Sequence, residues 1–495
     1  MTSFIVGWVL CLLTGGLLAA GLLGWRHCDL SRAMLIITLA VPLGLGVSSL
    51  SAMAYLLGMN QLGLPMLGLD LLMLVMSGTI AYSLGSRDGV SAEHDTTSYQ
   101  MSARTPRWFN VLLPAWGLLV IAGSATLGII NLARRIWGDW DAVMIWNLRA
   151  RFFFRIEDQY WLSFEKGLLH TDYPLYLPLS IYRLWTLQQF ESPLAPQSIA
   201  LLMTLAIPLA LGTIVGMCRG RLAGIATCLI LLANPYYLNF GTLQLADVPI
   251  GGCLAIGWGL MTLAMLHHQH DSQKRLMNAD DLSPARQALH LMALAGAMWG
   301  CMIWIKNEGL MLLLVTMLGL LVAQPLRWWI TRGKAGILAI LAGMGPWIIA
   351  LIVAKLYLSG SNDLVRGQSG LAVAMSKMMD LSRHQMFWIA AWNFFIATPT
   401  VWVTFLFFLL VPLAGWRAGR GRRVLVGLGT TILLAFLGYY TVYMLTPHDL
   451  EWHLRTSLSR IMTQLWPVFV FWAMMGIRLP WPATERFLNP SVSAV

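Results

Sequence analysis

The chain has 495 residues, of which 58% are hydrophobic and only 11% charged, with a mean hydropathy of +0.67. That balance excludes a soluble globular enzyme and describes a polytopic membrane protein whose main solvent is lipid. The net charge of +11 comes without a long basic run or an aromatic-interleaved basic patch, so it fits anchoring at a membrane surface and not nucleic-acid binding.

A helix needs roughly 20 apolar residues to cross about 30 Å of hydrocarbon, and the chain offers about thirteen such stretches. In chain order they fall near 4–24, 33–58, 65–85, 108–132, 197–217, 222–237, 248–266, 288–304, 309–325, 335–357, 388–413, 424–445 and 461–478. The expected fold class is therefore an all-α integral membrane protein. The first stretch has no basic leader and no small-residue cleavage site, so it reads as a retained span and not a signal peptide. Residues 1–107 read as a three-helix extension and 108–478 as the transmembrane core. Within that core, 133–196 reads as a long outer loop carrying juxtamembrane helices, and 479–495 follows as a cytoplasmic tail.

Lys and Arg set the orientation. Counting every span, Arg26 and Arg32, Arg219 and Arg221, Arg327, Arg332 and Lys334, and the group Arg417, Arg420, Arg422 and Arg423 all fall on one side. Arg87, Arg104, Arg107, Lys274, Arg275, Arg478 and Arg486 land there too, so this side is expected to be cytoplasmic, with the N-terminus outside. None of the six cysteines falls in an expected outer loop, which argues against a disulfide framework or a cysteine metal site.

The conspicuous polar groups then gather on the opposite, outer face. Asp139 and Asp141 open the long loop in WGDWDAVMIWNLRARFFF, followed by Arg149, Arg151 and Arg155. His170, Asp172 and Tyr173 lie in LLHTDYPLYLPL, and Asp247 ends the turn NPYYLNFGTLQLADVP. Lys306 and Glu308 stand between two spans in WIKNEG. The segment TPHDLEWHLRTSLSR brings His448, Asp449, Glu451, His453, Arg455 and Arg460 to the same face. Ionisable groups at membrane depth cost a few kcal/mol each unless paired, hydrated or bound to ligand, so their accumulation at one interface favours a site.

In order and placement these motifs resemble the GT-C superfamily of polyprenyl-phosphate-dependent glycosyltransferases, notably protein O-mannosyltransferases and aminoarabinose transferases. The carboxylates Asp139 and Asp141 stand where that superfamily places one at the start of its first long outer loop. His170 to Pro174 is similar to its His-x-x-x-Pro-like element, Asp247 in ADVP to its later Asp-x-Pro carboxylate, and Lys306 in KNEG to its donor-contacting basic residue. Where the best-known members carry an Asp-Glu pair, this chain has Asp-Trp-Asp. The resemblance covers roughly 108–478 and implies an inverting transfer of a sugar from a polyprenyl-phosphate donor to a glycan, lipid or protein acceptor. That chemistry would take place on the outer face of a bacterial inner membrane, among membrane lipids.

Such a site needs a base for the acceptor hydroxyl and cations for the departing phosphate. Asp141 is the expected base, because DAVMIWNLRAR reads as a helix start and the dipole favours an acid there. Asp139 or Asp247 can share the role. Lys306, Arg149, Arg151, Arg455 and Arg460 are the phosphate candidates, and His170, Asp172, Tyr173, Glu308 and His453 the substrate-binding ones. A divalent ion, Mg or Mn, would have to be held by Asp139, Asp141 and Asp247, since no compact metal motif is present.

Plainer alternatives stand beside each. Asp139, Asp141 and Asp247 also suit helix caps, the Arg149 to Arg155 stripe suits lipid headgroups, and Lys306 with Glu308 suits a local ion pair. The rival functions are a lipid-linked glycan flippase or transporter, and a non-catalytic envelope-assembly scaffold. A transporter should show ionisable residues near the midplane and duplicated halves, and neither is visible in the sequence.

Overall fold

The computed structural model describes residues 1–24, 28–59, 65–85, 107–165, 167–274, 283–324, 333–360, 370–397 and 421–477. Its regular structure is helical. In chain order the helices are α1 (Thr2–Leu23), α2 (Leu30–Ala54), α3 (Met66–Gly85), α4 (Arg107–Arg134), α5 (Leu148–Arg155), α6 (Tyr176–Gln188), α7 (Leu194–Arg219), α8 (Arg221–Leu232) and α9 (Pro235–Thr242). Then follow α10 (Asp247–Lys274), α11 (Ser283–Ile305), α12 (Glu308–Ala323), α13 (Lys334–Tyr357), α14 (Gly370–Met379), α15 (Leu381–Ala397), α16 (Arg422–Leu445) and α17 (Leu450–Gly476).

Among the described residues nine helices are long and apolar enough to cross a membrane, or ten if one bent pair is a single span. The chain is thus an all-helical, multi-pass membrane protein. The differences from thirteen have local causes. The expected span 222–237 is broken: α8 and α9 meet at 67°, because Pro235 cannot continue α8 and the Asn234 side chain instead accepts from the Tyr236 and Tyr237 amides to start α9. The stretch at 309–325 is the 16-residue α12, and 461–478 is the end of the longer α17, whose first turns are charged. Part of 388–413 lies outside the described residues.

Helix α10 is the axis of the bundle, with its apolar window entirely buried against α7, α11 and α17. Between α11 and α13, small residues let backbones touch: a Cβ at Gly343 would stand 2.0 Å from the Ala293 carbonyl oxygen. Pro208 leaves the carbonyl of Thr204 without its helical donor, and the Tyr237 hydroxyl supplies one at 3.0 Å, which seats α9 on α7. At the far end Arg219 donates to the carbonyls of Met474, Met475 and Ile477, at 3.1, 2.6 and 2.7 Å, capping α17 with a cation where its dipole is negative.

Helices α1 and α2 contribute to the same core as the later spans, α2 packing on α6 and α7. A buried ion pair fastens them: Arg183 of α6 donates Nε to both oxygens of Asp70 in α3 at 2.9 Å and Nη2 to the Gly7 carbonyl of α1 at 3.0 Å. Ser51 of α2 donates to the same carboxylate at 2.8 Å, so four elements meet at one charge. Removing one partner leaves a buried charge uncompensated, so Arg183→Leu is expected to cost about 3–5 kcal/mol. Thermal unfolding in detergent would show this as a lowered midpoint, largely restored in the Asp70→Leu/Arg183→Leu double variant.

Candidate functional site

Two loops are pinned together before either contributes a charge. The Asp139 amide donates to the Leu243 carbonyl at 3.2 Å, and Gln244 reaches the Ile136 carbonyl at 3.2 Å. Asn147 binds both sides, donating to the Trp137 carbonyl at 3.0 Å and to Gln244 Oε1 at 3.1 Å. Gly138 makes the contact possible: its φ is +81°, and a Cβ there would stand 2.6 Å from the Leu243 carbonyl oxygen. The segment after α4 is thereby laid against the segment before α10, and Asp141 arrives beside Asp247.

Asp141 precedes a wide, π-type turn over Ala142–Asn147, a distortion often found at functional sites. Its carboxylate makes no capping bond to that turn. Instead Oδ2 accepts from Arg460 Nη2 at 2.6 Å, and Oδ1 makes no hydrogen bond or ion pair among the described residues.

Asp247, the first residue of α10, is completely buried and saturated with donors. Arg460 Nε reaches Oδ2 at 3.0 Å, Lys306 Nζ reaches Oδ1 at 3.3 Å, and the Gln464 side-chain amide donates to Oδ1 as well. Gln464 in turn accepts from the Tyr439 hydroxyl. Lys306 also pairs with Glu308 at 2.7 Å. Burial alone would discharge Lys306, but Asp247 and Glu308 outweigh it and hold the ammonium well above its ordinary range.

The α10–α17 approach sets this geometry. Arg460 and Gln464 are one turn apart on α17, facing Asp247 and Gly251, one turn apart on α10. A Cβ at Gly251 would stand 2.1 Å from the Gln464 carbonyl oxygen. Only a glycine there lets α17 come close enough to bracket Asp247 from both sides.

Over this cluster lies the loop His170–Leu175. The Tyr173 ring stacks on Trp146 at 5.6 Å and on His170 at 4.6 Å, and stands 5.9 Å from Lys306 Nζ. Burial, then the charge of Glu308, raises the Tyr173 hydroxyl above its usual range, so it stays a neutral phenol. Asp172 fastens the loop: Asn307 donates to its Oδ2 at 2.5 Å, while Lys355 at the end of α13 donates to its carbonyl and to Asn307 Oδ1, the latter at 2.8 Å. Arg149 holds the same loop from behind, donating to the Tyr173 and His170 carbonyls at 3.1 and 2.7 Å. Burial lowers its pKa to about 10, against the pull of Asp172 and Tyr173.

Comparison with family models, curated proteins and solved structures yields no match.

Five of the residues singled out in the sequence therefore form one ionic network: Asp141, Asp247, Lys306, Glu308 and Arg460. Tyr173, His170, Asp172 and Arg149 build its cover. The others lie apart. Asp139 pairs with Arg135 at 2.8 Å on an exposed surface. Arg151 stacks 4.4 Å over Trp137 and meets Glu191 at 3.4 Å, a carboxylate that Arg155 also binds. Arg455 is exposed and makes no ion pair among the described residues. His453 packs on Tyr443 at 4.9 Å, where burial and the neighbouring His448 pull its pKa down to about 4. Asp449 caps α17 through the Trp452 amide at 2.8 Å.

Among the described residues no group of three or more His, Cys, Asp or Glu is arranged to hold a metal ion. Asp141 and Asp247 are joined through the Arg460 guanidinium, and Asp139 pairs instead with Arg135. Among the residues that sequence reasoning missed are Gln464 and Tyr439 in the network, and Asn147, Gln244, Asn307 and Lys355 in the loops around it. An uncharged amide four residues after Arg460, inside an apolar span, was the available signal.

Proposed function

We propose that this chain is an inverting glycosyltransferase that moves a sugar from a polyprenyl-phosphate donor to an acceptor hydroxyl on the outer face of a bacterial inner membrane. The observation that carries the reading is Asp141: one oxygen is held at 2.6 Å by Arg460, while the other makes no hydrogen bond among the described residues and is left to receive a proton. Asp247, with three donors, is the anchor of those cations and not a second base.

The same network leaves donors for a phosphate. Arg460 spends Nε and Nη2 on carboxylates, and Nη1 makes no hydrogen bond among the described residues. Lys306 spends two of its three N–H groups on Asp247 and Glu308. A lipid phosphate docking on Arg460 Nη1 and the third Lys306 N–H would place its anomeric carbon near Asp141. Asp141 then takes the acceptor proton, the hydroxyl oxygen attacks the carbon from the face opposite the phosphate, and the phosphate leaves toward the cations. A single displacement inverts the anomeric configuration.

The charges lie at the ends of helices: Asp247 begins α10, Lys306 follows α11 and Glu308 begins α12. That position favours interfacial chemistry over alternating access, which puts its binding groups near mid-depth. The test is reconstitution in liposomes with radiolabelled undecaprenyl-phosphate hexoses and pentoses and an envelope glycan fraction as acceptor. Label moving from the lipid to a polar product supports the reading, and no transfer from any donor overturns it. In that assay Lys306→Ala is expected to raise the apparent KM for the donor about tenfold or more, the weight of one charge-assisted hydrogen bond. An unchanged KM would remove Lys306 from the phosphate site.

A further inference from the structure

We propose that Tyr439 and Gln464 are positioning residues that act through Asp247 to hold Arg460, and with it Asp141, in register. Both are buried, on different helices, and neither touches the open oxygen of Asp141. What they form is a directed chain. The Tyr439 hydroxyl donates to Gln464 Oε1, and Gln464 Nε2 donates to Asp247 Oδ1. Asp247 Oδ2 accepts from Arg460 Nε at 3.0 Å, and Arg460 Nη2 reaches Asp141 at 2.6 Å.

Direction is the reason for the assignment. An amide has a donor end and an acceptor end, and reversed it would present its oxygen to the Asp247 carboxylate. A hydroxyl donated to Oε1 fixes the productive orientation, and each bond in a buried chain polarises the next. With Oδ1 engaged by Gln464 and Lys306, the Asp247 carboxylate cannot rotate, so Oδ2 stays aimed at Arg460 Nε. Because a guanidinium is planar, fixing Nε also fixes the direction of Nη2. Arg460 and Gln464 sit one turn apart on α17, so the same helix supplies both ends of the clamp.

The test reads Arg460 directly and then turnover. Wild type, Tyr439→Phe, Gln464→Met and the double variant are reconstituted in nanodiscs and treated with phenylglyoxal, with Arg460 labelling measured by mass spectrometry against exposed Arg455 as internal reference. Each single variant is expected to raise the Arg460 to Arg455 labelling ratio about tenfold, as one buried hydrogen bond is released. The double variant should go no further than Gln464→Met alone, since two residues in one chain are not additive. The turnover arm rests on the glycosyltransferase reading: kcat/KM for the donor falls about tenfold in each single variant, because a released Arg460 loosens both Asp141 and the phosphate donor Nη1. Unchanged labelling in both singles, or effects that multiply in the double, overturns the proposal. Absence of turnover in wild type with raised labelling in the variants rejects the glycosyltransferase reading and leaves the positioning chain standing.

Discussion

Asp141→Asn is expected to lower sugar transfer by about 10²–10⁴-fold, the usual contribution of a positioned general base. The substitution keeps the shape of the side chain and lets an amide oxygen still accept from Arg460 Nη2, which Asp141 binds at 2.6 Å. Folding should therefore be preserved: detergent thermal midpoint and membrane insertion stay at wild-type values while the initial rate collapses. Full activity in the asparagine variant would sink Asp141 as the base. Because Asp139 pairs with Arg135 outside the network, Asp139→Asn should by contrast retain most of the rate.

Asp247→Ala should behave differently and, for stability, more severely. Asp247 is buried and is the shared acceptor of Lys306, Arg460 and Gln464. Its loss leaves two cations and an amide competing for Glu308 and Asp141 alone. Breaking a buried ionic group in this way costs about 3–5 kcal/mol, so the thermal midpoint falls along with activity. The pair of variants separates two roles that look alike in sequence: Asp141 loses rate without stability, Asp247 loses both. An Asp247→Ala protein as stable as wild type would show that the network is not a structural anchor.

The members of that network were legible because each is a charge standing at the edge of an apolar stretch, and charges there need partners. What could not be read was which of two near-equal residues faces inward. Asp139 and Asp141 are two apart, yet the left-handed Gly138 and the wide turn after Asp141 send one to Arg135 and the other to Arg460. The arginines of the loop show the same limit. Arg149 is consumed by the carbonyls of His170 and Tyr173, and that depends on a loop conformation no spacing encodes. Gln464 and Tyr439 were hidden because uncharged polar residues in apolar helices are common and only tertiary contact distinguishes these two. The bend at Asn234 and Pro235 was written in the sequence as a cap followed by a proline, but continuous hydrophobicity on both sides outweighed it. Asp70 and Arg183 were not singled out, because one acid within an apolar stretch names no partner and its arginine lies far along the chain.

That separation has a consequence for biogenesis. Asp70 and Arg183 are 113 residues apart, and at translation rates of about 5–20 residues per second the acid waits roughly 6–23 s for its cation. During this interval α1, α2 and α3 have already left the ribosome. Ser51, on the preceding helix, is the partner available to Asp70 throughout the wait. The first three helices thus reach their final seat only after α6 has been synthesised and docked, so assembly runs backward along the chain at this point. A ribosome stalled between positions 85 and 183 would leave an early membrane intermediate in which Asp70 has Ser51 within reach but not Arg183.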